Sequence, residues 1–439
     1  MNITYKYPFL FRLISYVFIW FSYLYFMDTY APLGINWLSW HEQRIINFSE
    51  FLRVNGYLSF NGFSIWSECD NCQLSQDIWR DKIYITHHSI SYLPYLISNH
   101  FFGKEALILF GPLLDKFVIF TTGIAISEIG IDLIKKKSKL PTLIISMICF
   151  SFFAANPWTY KMLLAAWTEI YFLMFFLLGL ISFNKKYNYL GLFLFFCSAL
   201  SQWQWAFLIA AFYIGMLGLQ YLGSHRFNLK DFFAKSNFKL NTQIICSLIF
   251  PTAVLILIRI ITQSTLEDTA GSSILYRAGI SGVDIHNGGL LGALQFLGGN
   301  RITRCLEGVD FSLLSSNLEM KIMIFNCILS IATMFIISII SIIGIFKLNK
   351  EIFSSRTVIL PLLFALISMI FIFQQSLSVH LMGYSYVFSP LFAIGLTSLF
   401  SLYLNSMQSS GLKIIFLFPI TIGILITCIR VSMLTGANG

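Results

Sequence analysis

The sequence predicts an all-α integral membrane protein of about eleven transmembrane helices, with two large extracytoplasmic loops that carry interfacial helices. Three observations predict it. Apolar residues make up 57% of the 439 and charged residues only 11%, whereas a soluble domain is roughly one quarter charged, and the mean hydropathy is +0.75. Runs of about 20 apolar residues, the length that crosses roughly 30 Å of hydrocarbon as a helix, recur along the chain. The 45 Phe and 20 Tyr suit large lipid-facing and interfacial surfaces.

In chain order the candidate spans are 8–27, 106–130, 141–157, 161–183, 189–202, 204–222, 243–262, 321–346, 357–375, 385–404 and 413–431. The fifth and sixth are separated for an electrostatic reason. Both flanks of 189–222 are basic, with Lys185 and Lys186 before it and Arg226 to Lys239 after it. A hairpin turning at "SQWQW" (201–205) returns both flanks to one side, and a single span does not. With the amino terminus inside, the short inner connections are "KKKSK" (135–139), "NKKYN" (184–188), 223–241, 347–356 and 405–413. Each carries Lys or Arg, and together with Lys6 and Arg12 they hold more than half of the 29 basic residues. That bias in short loops orients the chain, amino terminus inside and carboxyl terminus outside. The net charge of +9 is therefore a topology signal, and nucleic acid is not an expected partner.

The first span is long and aromatic, and "DTYAPLG" after it lacks a small-residue cleavage site, so it reads as an uncleaved anchor. The chain reads as one polytopic domain, 1–439, with outer loops at 28–105 and 263–320. The expected location is a cell membrane of the bacterial inner-membrane kind.

Polar residues gathered against spans are costly and mark function. The first outer loop begins with "NWLSWHEQRIINFSEFLRVNGYL" (36–58). On a helical wheel Ile45, Phe48, Phe51 and Leu52 share one face, and Glu42, Gln43, Asn47, Glu50 and Arg53 the other. Asn55-Gly56 ends the helix, which suits an interfacial position. Ser39-x-x-Glu42 is also a capping box, in which Glu42 satisfies a backbone donor; that role and a chemical one are compatible, because the helix dipole holds a carboxylate ionised there.

A second carboxylate, Glu169, falls near the outer mouth of the fourth span in "ANPWTYKMLLAAWTEIYFLMFF" (154–175), roughly 12 Å along a continuous helix from Lys161. It needs a wet cavity or a partner. A structural ion pair with Lys116 or Arg259 is one alternative. Asp115 and Lys116 read as a structural polar cluster.

An acid shortly after the first span, an interfacial helix ending in "NG", and a second acid at the mouth of a later span after "NPW" resemble the GT-C superfamily. These are polytopic glycosyltransferases that use polyprenyl-phosphate-linked sugars. The resemblance covers the layout of the whole chain but only two short motifs in residues. The family's first-loop acid is usually Asp, where this chain has Glu42 preceded by His41, and the oligosaccharyltransferase "WWD" motif is absent from the sequence. The resemblance implies inverting transfer at the extracytoplasmic face from a polyprenyl-phosphate-linked sugar donor to a glycan, lipid or protein acceptor.

Such a transfer needs a carboxylate to take the acceptor's proton and cations, or a divalent metal, to stabilise the departing phosphate. Glu42 is the expected base and Glu169 the support or second acid. In "FLGGNRITRC" (296–305), Arg301 and Arg304 would share a helical face and suit bidentate phosphate contact; two solvated loop arginines are the other reading. Lys161 and Arg277 stand in reserve. In "SVHLMGYSY" (378–386), His380 and Tyr384 lie at the outer surface, where an aromatic belt is equally expected.

"ECDNC" places Cys69 and Cys72 outside, where a small disulfide is permitted. A zinc site using His87, His88 or His100 would need loose ligand spacing. Cys149, Cys197, Cys246, Cys327 and Cys428 fall in spans as packing residues. Two other classes fit a many-span chain. A transporter or flippase of envelope glycans usually shows repeats and broken helices near the midplane, and here polarity gathers at the outer face. A lipid-linked polysaccharide polymerase or ligase usually relies on arginines in a large late loop, and here the first loop is the largest.

Overall fold

A computed structural model describes residues 8–30, 40–57, 63–65, 83–135, 138–164, 168–224, 238–263, 339–344 and 386–406, with 336 and 426 as single positions. These residues are helical apart from one short antiparallel ribbon. Three of the helical stretches, Phe9–Met27, Ile90–Ile134 and Lys239–Ile261, are long and apolar enough to cross a membrane.

Helix α1 (Pro8–Tyr30) starts on a proline, whose missing N–H costs nothing at a first helical position. Tyr16, Trp20, Tyr23 and Met27, spaced by three or four, form its buried face. Phe9, Leu10, Ile14, Phe18, Phe21 and Tyr25 are exposed, a continuous apolar surface of the kind a bilayer would cover. Helix α2 (Trp40–Asn55) follows, and Gly56 adopts φ 96° just beyond it, the left-handed position glycine supplies at a helix end. The ribbon pairs β1 (Phe63–Ile65) with β2 (Ile83–His88), with a bulge between Phe63 and Ser64. Strand β2 opens on Ile83, Tyr84, Ile85 and Thr86, β-branched and aromatic residues that favour a strand, whereas the three residues of β1 carry no such run.

A 3-10 turn (Ser89–Tyr92) leads into α3 (Leu93–Ile134), which is two limbs rather than one rod. Gly103 at φ 79°, ψ 170° breaks the helical path, a conformation residues with a Cβ rarely adopt. The first limb folds back, so that Tyr95 reaches Asp115, 20 residues further on. The expected span 106–130 is the second limb.

Helix α4 (Thr142–Ala155) and α5 (Pro157–Leu164) meet at Asn156, and α6 (Thr168–Asn184) and α7 (Asn188–Ser201) form an antiparallel hairpin. The expected fourth span, 161–183, is thus carried by α5 and α6, with 165–167 outside the described residues. The stretch 189–222 is two helices, α7 and α8 (Trp203–Ser224), parted at Gln202 with φ −152° and ψ 85°. Helix α9 (Phe238–Gln263) runs antiparallel to α8: Thr252 donates to the Trp203 carbonyl and Tyr213 to Asn241. Helix α10 (Ser389–Ser406) packs on α4 and α3. It meets the short stretch 339–344 backbone to backbone, since a Cβ on Gly395 would stand 2.1 Å from the Ser341 carbonyl oxygen. Such close approach is how membrane helices gain packing. The expected spans 357–375 and 413–431, and most of 321–346, lie outside the described residues.

The core draws on each of α1 to α10 and is aromatic, with Tyr16 stacked on Phe150 at 4.9 Å and Phe176 on Phe195 of α7 at 5.3 Å. At one end of the bundle Arg12 of α1 makes a bidentate pair with Glu128 of α3, at 2.9 and 2.8 Å, and Tyr16 adds a third bond to Glu128. Asn184 of α6 meets Asp132 of α3 there too. The other end holds the candidate site.

Candidate functional site

The "NPW" corner has a structural job of its own. Pro157 drives the residue before it out of the helical region, and Asn156 sits at φ −70°, ψ 147°. Its Oδ1 accepts the Thr159 N–H at 2.8 Å while its Nδ2 donates to the Phe153 carbonyl at 2.7 Å. Asn156 is therefore the N-cap of α5, fully buried. Trp158 stands edge-on against Phe388 and Phe392, at 5.0 and 5.5 Å, and so fixes the corner to the carboxyl-terminal part of the chain.

Glu169 lies in the first turn of α6, where the helix dipole favours a negative charge. It is 1% exposed. Gln202 donates Nε2 to Glu169 Oε1 at 2.9 Å and to Thr168 Oγ1 at 3.2 Å, and Thr168 Oγ1 stands 3.5 Å from Glu169 Oε2. The break between α7 and α8 is what aims the Gln202 amide at the carboxylate. The sequence presented Gln202 only as part of a turn; an amide between two apolar runs is the signal that could have singled it out, and the structure buries it fully.

Arg259, considered from sequence as an ion partner for Glu169, is 3% exposed on α9, with its Cζ 5.8 Å from the centre of the Trp203 ring. That is cation–π distance, and Trp203 adjoins Gln202 in the chain. Asp115 is also buried, and both of its oxygens take tyrosine hydroxyls: Tyr95 at Oδ2, and Tyr171 at Oδ1 with 2.6 Å.

Helix α2 docks at the same end. Ile45, Phe48, Phe51 and Leu52 are buried, as their spacing requires, together with Ile46. Asn99 of α3 donates to Ser49 Oγ at 3.2 Å and to Glu50 at 3.0 Å, and Phe48 meets Tyr92 edge-on. Next to Tyr92, Ser91 donates to the Leu200 carbonyl, two residues before Gln202. Contacts thus run from α2 through the 3-10 turn and α7 to Glu169. On the exposed side Arg53 grips Glu50 at 2.7 and 2.8 Å, and this pairing holds the Glu50 carboxyl below its ordinary range. Tyr57, Ile90, Leu93, Leu96, Ile97, His100 and Phe101 line an apolar groove of about 340 Å³, with the Tyr57 hydroxyl 3.1 Å from His100 Nδ1.

His41 and Glu42 fall in the first turn of α2, and Lys161 within α5; their side chains lie outside the described residues. So do Arg277, Arg301, Arg304, His380, Tyr384, Cys69 and Cys72. The structure therefore brings Glu169 together with Gln202 and Thr168, and places α2 at the same end of the bundle. Among the described residues no cluster of three or more His, Cys, Asp or Glu could hold a metal ion. Cys149 is buried, Cys197 half-buried and Cys246 exposed, all as free thiols. No family model, no curated protein and no solved structure matches this chain.

Proposed function

We propose that the chain is a multi-pass membrane glycosyltransferase of the GT-C type, with about eleven spans and its amino terminus inside. It would move a sugar from a polyprenyl-phosphate donor to a glycan, lipid or protein acceptor at the outer face. The observation that carries this reading is Glu169. A carboxylate 1% exposed in the first turn of an apolar helix is expensive to keep, and a bound amide orients it at the end of the bundle where α2 docks. In the proposed reaction the acceptor hydroxyl oxygen attacks the anomeric carbon and gives its proton to Glu42. The anomeric C–O bond breaks, and its electron pair leaves with the polyprenyl phosphate. Glu169 orients the acceptor or serves as the second acid. Arg259, seated beside Trp203, joins Arg301 and Arg304 as a cation for the departing phosphate.

The test is transfer by the full chain in lipid nanodiscs, offered a panel of polyprenyl-phosphate sugars and candidate acceptors. Sugar-labelled product with release of polyprenyl phosphate supports the reading. Movement of a lipid-linked glycan across vesicles without transfer would replace it with a flippase.

A further inference from the structure

We propose that Asp115, on the second limb of α3, is a positioning residue for Glu169, working through Tyr171; the proposal rests on the glycosyltransferase reading for its catalytic consequence only. Asp115 sits in a long apolar helix and is 2% exposed. A buried carboxylate there is costly, so what it binds should explain it. It binds two hydroxyls from different pieces of the fold. Tyr171, two residues after Glu169 in the opening turns of α6, donates to Oδ1 at 2.6 Å. Tyr95, on the folded-back limb of α3, donates to Oδ2.

The sequence has made room for this meeting. Gly103 turns the chain so that the first limb returns. Gly111 leaves the space that the Tyr95 ring occupies, since a Cβ there would stand 2.9 Å from Tyr95 Cε1. On a helix, residues two apart project about 200° from one another, so Tyr171 and Glu169 are gripped from opposite sides, Tyr171 by Asp115 and Glu169 by Gln202. A turn held on both sides keeps Glu169 within the few tenths of an ångström that catalysis demands. The limb bearing Tyr95 also lines the apolar groove through Leu93, Leu96 and Ile97, so the same hydroxyl ties the groove wall to the catalytic turn.

The test compares Asp115→Asn and Tyr171→Phe with the parent chain in nanodiscs, using hydrogen exchange resolved along α6 together with transfer kinetics. Tyr213→Phe is the control, because it removes a part-buried tyrosine hydroxyl bond that joins α8 to α9, eleven residues beyond Gln202. Amide exchange over 168–173 is expected to rise at least tenfold in both variants, with 178–184 unchanged. The kcat for transfer should fall roughly tenfold with KM unaltered, and the double variant should be no worse than the poorer single one, as for groups acting through one contact. If exchange over 168–173 stays at the parental rate in both variants, the proposal is wrong. It is equally wrong if exchange rises throughout the chain, as for general loosening, in Tyr171→Phe. Faster local exchange in a protein that transfers no sugar would leave the positioning of Glu169 standing and remove the glycosyltransferase reading instead.

Discussion

Replacing Glu169 by Gln separates chemistry from architecture. The side chain is 1% exposed, and its Oε1 receives the Gln202 amide at 2.9 Å. A glutamine of the same length keeps one carbonyl oxygen for that bond and puts an amide where Oε2 now lies near Thr168 Oγ1. The structural loss includes the interaction of a negative charge with the start of α6, about 0.3–1 kcal/mol, while the amide bond from Gln202 can be kept, so folded yield should stay close to parental. Loss of a carboxylate that orients the acceptor or serves as second acid should cost roughly 100-fold in transfer, about 2.7 kcal/mol on the barrier. Glu169→Leu behaves differently, because it also strips an acceptor from a buried amide, at about 1–3 kcal/mol of stability. Gln202→Leu keeps the carboxylate but releases it, and should lower kcat by less than Glu169→Gln does. The assay is initial rate per folded molecule, with folded fraction from size-exclusion of the detergent-solubilised protein. Near-parental transfer by a well-folded Glu169→Gln variant would refute a chemical role for Glu169.

Glu42→Gln should also lower transfer roughly 100-fold or more, whereas Ser39→Ala, which breaks the capping box and spares the carboxylate, should cost on the order of 1 kcal/mol locally and leave turnover near normal; equal defects in both would assign the stretch to architecture. Reporters fused after Lys139, Lys186 or Lys239 should read the cytoplasm, and one between 203 and 205 the outside; a cytoplasmic reading at 203–205 would overturn the two-span assignment of 189–222. Cys69→Ser with Cys72→Ser should leave topology intact and lower stability little, and free alkylation of both thiols in untreated membranes would exclude a disulfide. Glu50, held low by Arg53, should stabilise the docked α2 at neutral pH. A depressed carboxyl contributes fully above its unfolded value and loses that contribution as pH falls through its folded one. The thermal-stability gap between parent and Glu50→Gln should therefore close below about pH 4, and a gap unchanged at pH 3 would exclude the pair as its source.

Local periodicity carried α2 almost completely. Four apolar residues spaced for one helical face are all buried, and Asn55 donates to the Phe51 carbonyl while Gly56 turns at positive φ. Charge balance carried the division of 189–222, which the chain makes at Gln202. In both cases the information sits within a dozen residues, where helix geometry turns spacing into direction. The folded-back limb of α3 lay beyond that reach. Leu93–Phe102 mixes Asn99 and His100 with apolar residues and reads as loop, and its helix is stabilised by packing on α2 and on Asp115. The "NPW" motif was legible as a signal, and the structure adds a local role for it, with Asn156 capping α5.

What the sequence does supply is a roll of groups that must find partners, since an apolar surrounding makes every buried charge and amide expensive. Arg12, Asp115, Glu128, Glu169 and Gln202 are all on it. Which partner each one finds is a matter of contacts separated by 116 residues for Arg12 and Glu128, 56 for Tyr171 and Asp115, and 33 for Gln202 and Glu169. No period relates positions so far apart. The partners also differ in kind in a way only the fold reveals. Glu128 meets a guanidinium that satisfies both of its oxygens, a pairing that fixes two helices to each other. Glu169 and Asp115 meet amide and hydroxyl donors from described residues, which direct a carboxylate without supplying a formal charge of their own. Cost alone would have ranked the three carboxylates together. The donors distinguish Glu128, fastened to a guanidinium on another helix, from Glu169, whose carboxylate takes an amide at 2.9 Å, and under the proposed glycosyl transfer Glu169 is the carboxylate whose replacement should change turnover.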